Sequence, residues 1–228
     1  MVPAISVRAI PNTQRLLSTK KVTLTLYNKK DVLYGFKKTK MNSQTLGYVD
    51  GERVTNLKSS NRSVLTVSKT ESPFGNRIWT NIAANVKKTG TSTVSFETGG
   101  KTYKIKVTVK KYQNPISSIK IRNTTIRGSK FKSTSNYFLK WSKFKGKNTK
   151  VTVKLAKGWK FCHKEFDYES GKLRPVILAY PGSFPKRVVP TVINGQSIKI
   201  KGKKGYTLNF TVEQRSTGRT EDISIIFK

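Results

Sequence analysis

The chain has 228 residues, of which 35% are hydrophobic, and it carries 46 Lys and Arg against 11 Asp and Glu, a formal net charge of +35. Such an excess of positive charge favours binding to polyanions, and the single cysteine, Cys162, excludes an internal disulfide and a multi-cysteine metal site. No run approaches the roughly 20 apolar residues of a membrane-spanning helix, so no membrane insertion is expected.

The N-terminal segment, MVPAISVRAIPNTQ, lacks the basic leader and apolar core of a secretory signal peptide. Either the protein is intracellular or the sequence begins after a signal, and the family resemblance described below favours the second interpretation. Residues 1–112 contain 21 basic and 5 acidic residues, and residues 113–228 contain 25 and 6. A basic tail would indicate tethering to nucleic acid. A charge spread over both halves indicates instead that the whole molecule works in anionic surroundings.

Period-two alternation of apolar and polar residues dominates the first half and predicts strands with one buried face. In KTYKIKVTVKKY, the cations Lys104, Lys106 and Lys110 fall between apolar positions, so they are expected on the wet face. The dipeptide Gly99-Gly100 predicts a two-residue hairpin. Strands are predicted over residues 22–26, 92–96 and 103–109.

The second half shows the same alternation, with strands predicted over 119–122, 151–155, 198–201, 206–212 and 223–227. Turns are predicted at GKKG and STG, which separate the last three of these strands. The segment KKYQNPISS contains Pro115 between two strand patterns, so it is interpreted as a domain boundary. The chain is therefore divided into domains at 1–112 and 113–228.

Two segments of the first half resemble a known family. The runs LKSSNRSVLTVSKT and NVKKTGTSTVSFETGGKTYKIKVTV are similar to group-two bacterial immunoglobulin-like domains, in which an SSN phrase sits on a central strand and a GT pair opens a later one. The resemblance implies a β-sandwich on a bacterial surface or secreted protein, used as a spacer or adhesive module. Residues 113–228 carry no motif of that family but share the strand pattern. The predicted fold class is all-β, with two tandem immunoglobulin-like antiparallel β-sandwich domains.

The residues offer little for catalysis. Cys162 and His163 are adjacent, so on a strand they point to opposite faces and cannot pair as nucleophile and base. Glu165, Asp167 and Glu169 alternate and would share one strand face, which indicates either calcium binding or, as favoured here, salt bridges in basic surroundings. No cofactor motif is present. We therefore expect no enzymatic activity and no cofactor.

The stretch NYFLKWSKFKGKNTK interleaves aromatic residues with lysines, a composition that suits contact with anionic polymers. Trp141 is predicted to lie in the core, whereas Trp79 and Trp159 fit either core or contact. The Pro-rich segment 179–190 is the longest predicted loop, either a plain connection or a binding loop. The predicted polyanion-binding residues are Lys140, Lys143, Phe144, Lys145 and Lys147 in this stretch, with Lys104 and Lys106 on the first-half strand.

These observations predict a non-enzymatic bacterial surface or secreted module for cell adhesion or for binding anionic polymers. The expected partners are cell-wall teichoic acid, another anionic polysaccharide or a host surface glycan, bound by dispersed lysines. Localisation is predicted to be extracellular or at the cell surface, as a monomer or a segment of a larger chain. One alternative is a structural spacer of a larger cell-wall protein. Nucleic-acid binding is less favoured, because no helix suited to a major groove is visible.

Overall fold

The fold was analysed in a computed structural model that describes residues 16–28, 32–33, 36–37, 42–51, 53–180 and 190–228. Within these ranges the regular elements are β-strands and short 3₁₀ turns, with no α-helix, so the prediction of an all-β fold is confirmed. The chain divides into two units. The N-terminal unit ends at Tyr112, and the C-terminal unit comprises Gln113–Lys228 together with the short segment Val32–Leu33.

The N-terminal unit contains two main sheets, which are joined in the orders β1-β9-β8-β5 and β4-β7-β6, and the short strands β2 and β3 pair with each other. The strands are β1 (Lys21–Leu26), β2 (Val32–Leu33), β3 (Phe36–Lys37), β4 (Ser43–Gly51), β5 (Thr55–Ser59), β6 (Leu65–Phe74), β7 (Arg77–Val86), β8 (Gly90–Thr98) and β9 (Lys101–Lys111).

This strand order is that of an immunoglobulin-like sandwich. Strands β4, β7 and β6 correspond to B, E and D of one sheet, and β5, β8 and β9 correspond to C, F and G of the other. The first strand, β1, runs parallel to β9, so it belongs to the C-F-G sheet and is a local departure from antiparallel pairing. Alternate residues of β8 and β9, including Val94, Phe96, Ile105 and Val107, are fully buried and form the core between the sheets.

Turn chemistry fixes the register of the last two strands of this unit. Gly99 and Gly100 connect β8 to β9 with φ values of 57° and 67°, which is the geometry that a two-residue hairpin requires. The predicted hairpin is therefore confirmed. The SSN phrase is placed differently from the family expectation: it ends β5 and continues into the turn before β6, rather than occupying a central strand.

The C-terminal unit also has two sheets, in the orders β11-β10-β13-β18 and β12-β20-β19-β16-β15, with β14 added to β19 and β17 added to β16. The strands are β10 (Ile116–Ile121), β11 (Thr124–Arg127), β12 (Asn136–Leu139), β13 (Asn148–Leu155), β14 (Trp159–Phe161), β15 (Lys164–Asp167), β16 (Lys172–Tyr180), β17 (Thr191–Ile193), β18 (Ser197–Lys199), β19 (Tyr206–Gln214) and β20 (Thr220–Phe227).

The C-terminal unit repeats the construction of the first, because β12 runs parallel to the last strand, β20, as β1 does to β9. Its core is richer in aromatic rings, with Phe131, Phe210 and Phe227 at most 2% exposed. Trp141 is 6% exposed and Trp159 is 7% exposed within the same core cluster. The prediction of a core role for Trp141 is confirmed, and the choice left open for Trp159 is decided in favour of the core.

One hairpin interrupts the sheet. Strand β19 pairs with β20 along one edge and with both β14 and β16 along the other. Strand β14 pairs near Gln214, and β16 pairs near Asn209. Between them the chain leaves the sheet as the β15–β16 hairpin and returns at Val176, whose N–H donates to the carbonyl of His163 at 3.3 Å. The hairpin presents Phe166 and Tyr168 to solvent.

Candidate anion-binding surfaces

The outer face of the β1-β9-β8-β5 sheet carries five exposed lysines, which we call the lysine face: Lys21, Lys58, Lys104, Lys106 and Lys110. The strand register brings them together. Lys106 lies beside Lys21 on the neighbouring β1. Lys104 lies opposite Ser95, which pairs on its other side with Lys58. Thus Lys104 and Lys106, which were predicted from sequence, belong to a cationic surface that crosses four strands.

Among the described residues the lysine face forms no ion pair, although one carboxylate, Glu97, shares this outer face. Adjacent like charges on a sheet oppose folding, yet none of the five lysines forms a side-chain ion pair with the residues that the structure describes. The observed ion pairs use other cations: Arg53 and Lys69 with Glu71, Arg77 with Asp50, Lys160 with Glu213, Arg174 with Asp167, and Arg219 with Glu221. The positive potential of this face therefore remains available to an external anion.

A second cationic surface is an open depression of about 260 Å³ in the C-terminal unit, which we call the basic depression. It is lined by Arg122, Asn123, Thr124, Lys143, Phe144 and Lys147. Three of these six residues are cations and none is an acid.

The loop that supplies Lys143 and Lys147 is fixed by backbone hydrogen bonds and by its aromatic residues. The N–H of Trp141 donates to the carbonyl of Lys228 at 2.8 Å, and that of Gly146 donates to the carbonyl of Ile200 at 2.8 Å. The indole of Trp141 and the ring of Phe144 are buried beneath the loop. The two lysines are consequently held on an anchored turn rather than on a free segment.

The opposite wall of the depression is the tight turn between β10 and β11, in which Ile121 pairs with Thr124 and only two residues lie between. Arg122 has φ 54°, a left-handed conformation that costs a non-glycine residue about 1–2 kcal/mol. Its N–H donates to the carbonyl of Lys150 at 2.9 Å, which holds the turn against β13.

The structure separates the predicted polyanion-binding residues of the aromatic-basic stretch. Lys143 and Lys147 line the depression, whereas Lys140 and Lys145 are exposed but do not line it. Phe144 requires a correction, because its side chain is only 4% exposed and its ring packs edge-on against Phe227 at 5.2 Å between centroids. It forms the floor of the depression and offers no free ring face for stacking.

Sequence reasoning missed Arg122, Asn123 and Thr124. The Arg-Asn dipeptide between two apolar strand patterns is a turn signal that was available in the sequence. Its position next to Lys143, however, depends on how the sheets fold together, and a single sequence does not show it.

Cys162 and His163, which were not expected to pair, differ in their exposure to solvent. Burial, with the charges of Glu213 and Asp222, raises the pKa of the half-buried Cys162 thiol to about 11. His163 is exposed. A thiol that stays protonated at neutral pH is a poor nucleophile.

The acidic trio is dispersed rather than clustered. Asp167 is buried and its Oδ2 accepts hydrogen bonds from Ser170 and Arg174, each at 2.8 Å. Glu165 accepts from Thr191 at 2.8 Å, and Glu169 lies in the turn that follows β15. Asp167 thus forms the salt bridge that the basic surroundings favoured. Within the described part of the chain, no group of three or more His, Cys, Asp or Glu side chains is arranged to hold a metal ion.

The remaining candidates lie away from both cationic surfaces or outside the described residues. Trp79 is 36% exposed and stacks on Tyr48 with ring centroids 4.0 Å apart, which places it between the core and contact interpretations. Most of the predicted Pro-rich loop, residues 181–189, lies outside the described residues. Among the described residues, no helix has the length and apolar character needed to cross a membrane.

No protein-family profile and no curated protein matches the sequence. Among solved structures, the chain is similar to domains 5–6 of the S-layer protein SbsC, with a TM-score of 0.29, 14% identity, and coverage of 92% of this chain and 95% of that one. A longer structure, of domains 4–9 of the same protein, gives a TM-score of 0.28 with 16% identity, over 92% of this chain and 30% of that one.

The chain is also similar to the adhesin InvE of Yersinia pseudotuberculosis, with a TM-score of 0.24 and 11% identity over 91% of this chain and 56% of that one. Similarities with TM-scores this low do not indicate a function. The assignment of an immunoglobulin-like fold stands on the strand order of the two units themselves.

Proposed function

We propose that the protein is a non-enzymatic module of a bacterial surface or secreted protein, and that it binds an anionic polymer outside the cell. The polymer would be cell-wall teichoic acid or a host surface glycan. We further infer that the N-terminal unit is a group-two bacterial immunoglobulin-like domain, from its SSN and GT segments and its strand order. Adhesion would follow from polymer binding by a rigid sandwich.

The observation that carries this proposal is the lysine face. Four of its exposed lysines lie on three strands: Lys21, Lys58, Lys104 and Lys106. Each described carboxylate that forms an ion pair does so with a cation outside this face. A sandwich needs polar residues on its outer face, and threonine or serine would supply them without repulsion. Lysine at these positions adds repulsion that an external polyanion would relieve.

The mechanism would be multivalent electrostatic attraction. Each phosphate or sulfate group of the polymer would pair with an exposed ammonium group and release bound counterions, so affinity would fall steeply as salt rises. Flexible, strongly hydrated lysine side chains suit a partner whose charges are spaced along a mobile chain. The sheet supplies a fixed array, and the polymer adapts to it.

A structural spacer in an anionic cell wall is the alternative that one observation favours. Lysines on exposed strand faces also discourage edge-to-edge aggregation of sheets, and that role needs no ligand. The two roles differ in salt response, because a spacer would show no retention on any polymer at physiological ionic strength. Nucleic-acid binding is less favoured, since the described residues include no helix to enter a major groove.

The test is retention of the purified protein on immobilised teichoic acid, heparin and random-sequence duplex DNA across a salt series. The proposal predicts that teichoic acid or heparin retains the protein at about 0.15 M salt while DNA does not. Equal elution from all three at lower salt would reduce the interaction to bare charge and favour the spacer. Strongest retention on DNA would favour the nucleic-acid alternative.

A further inference from the structure

We propose that the basic depression binds one phosphate or sulfate ester group together with the sugar or polyol that carries it. This inference rests on the proposed function, because it identifies the depression as a site for one repeating unit of the anionic polymer. It adds directional recognition of a single unit to the diffuse attraction of the lysine face.

The lining residues supply the matching chemistry. The planar guanidinium of Arg122 can donate two parallel hydrogen bonds to a tetrahedral oxyanion, and the ammonium groups of Lys143 and Lys147 add point charges. Asn123 and Thr124 contribute an amide and a hydroxyl, which suit the hydroxyl groups of a sugar or polyol. Among the described residues, no carboxylate lines the depression to compete for the cations.

The size of the depression limits the ligand to one unit. Its volume of about 260 Å³ is close to the lower end, about 300 Å³, of pockets that hold small ligands. Phe144 forms an apolar floor that is fixed by its edge-on contact with Phe227. A rigid apolar floor lowers the local dielectric, which strengthens the attraction between the cations and an ester group above it.

The backbone at Arg122 gives an independent reason to assign it a role. Its φ of 54° suits glycine, which would occupy the first central position of this two-residue turn without strain. The chain instead holds an arginine there and fixes it through the hydrogen bond from its N–H to Lys150. Strained residues of this kind concentrate at binding sites, where the side chain has to be aimed in one direction.

The variant Arg122→Gly tests the site without threatening the fold, because glycine relieves the strain while the cation is lost. The probes are glycerol 3-phosphate and glucose 6-sulfate, with glycerol as the uncharged control. Binding is followed by nuclear magnetic resonance through the Arg122 Nε–H and Asn123 side-chain amide signals. Both esters should shift these signals in the wild-type protein, and their relative affinities would show whether phosphate or sulfate is preferred.

We expect Arg122→Gly to weaken ester binding by roughly tenfold to a hundredfold, as removal of a charge-assisted hydrogen bond does, while its melting temperature stays equal or rises. The matched control is Arg127→Gln, which removes a cation from the end of the same hairpin but not from the depression and should bind as wild type does. Equal weakening by both variants, or no shift of the Arg122 signal with either ester, would overturn the site. Retention of the wild-type protein on polymers would then still decide the proposed function separately.

Discussion

Gly90 packs so closely against Val64 that a Cβ atom at position 90 would lie 2.9 Å from Cγ2 of the valine. Val64 is buried at the end of the turn that carries the SSN phrase, and Gly90 opens β8. The two segments whose sequences resemble group-two bacterial immunoglobulin-like domains therefore touch each other in the folded unit. The contact gives a steric reason for glycine in the GT pair.

Gly90→Ala should destabilise the N-terminal unit by about 2–4 kcal/mol, because alanine would adopt a glycine-only conformation with φ 145° and also clash with Val64. The matched control is Gly75→Ala, where φ is 58° and a Cβ would meet nothing within 4 Å. That change should cost only about 1–2 kcal/mol. Urea unfolding of both variants measures the difference, and equal losses would contradict the close contact.

The buried ion pair of Arg219 and Glu221 should stabilise the C-terminal unit only when both residues are present. Their side chains are 3% and 1% exposed, with Nε and Oε1 3.8 Å apart, and the guanidinium lies 5.4 Å from the ring centroid of Trp159. Glu221→Ala should destabilise the C-terminal unit by about 3–5 kcal/mol, because it removes the ion-pair partner of a buried cation. The double change Arg219→Met with Glu221→Leu should lose much less. A double variant less stable than Glu221→Ala would contradict this account.

The β15–β16 hairpin should weaken in acid through Asp167. Hydrogen bonds from Ser170 and Arg174 lower the pKa of this carboxyl below its ordinary value. A lowered folded-state pKa contributes stability that is fully present above the unfolded value of about 3.9 and is lost as pH falls through the folded value. Carbon-detected magnetic resonance of the Asp167 carboxyl from pH 6 to 2 should give a midpoint below 3.9.

The Asp167→Asn variant is the control for that titration. Its hairpin should be less stable at pH 6, because asparagine cannot form the ion pair with Arg174, and the variant should lack the wild-type decline in acid that comes from this group. An Asp167 midpoint at or above the ordinary value would show that the carboxylate is not stabilised in the folded protein.

Cys162 should react slowly with thiol reagents. Burial raises its pKa to about 11, so the thiolate fraction at pH 8 is about a thousandth. Alkylation by iodoacetamide at pH 8 should be at least tenfold slower than for the same chain unfolded in urea. Equal rates in the folded and unfolded protein would show that the thiol is neither buried nor shifted.

The strands of both units were predictable because each has one wet and one buried face, so that apolar residues recur with a period of two. The alternation of Ile105, Val107 and Val109 with polar residues places their side chains correctly, and Gly99-Gly100 places the turn before them. These features are local. They depend on neighbouring residues, whose arrangement a single sequence shows directly.

The basic depression of the C-terminal unit was less predictable, because the period of two in the sequence ends at Leu139. The chain then forms a 3₁₀ turn over Trp141–Lys143, which changes the direction of the following side chains and turns Phe144 inward. Arg122 and Lys143 come together only when β10 and the loop that carries Lys143 pack into the same core. Such proximity between distant residues depends on the packing of the sheets.

The lysine face is tested most directly by replacing Lys21, Lys58, Lys104 and Lys106 with glutamine and measuring the affinity for teichoic acid or heparin across a salt series. The control replaces four exposed lysines of the C-terminal unit, Lys154, Lys157, Lys164 and Lys172, so that both variants have the same reduction in charge. If the face binds the polymer, the slope of log affinity against log salt should fall by about 3 in the first variant, at roughly 0.7 for each ammonium group that no longer pairs with the polymer. It should change little in the control. Equal changes in the two variants would contradict a binding face and leave only the net charge of the molecule.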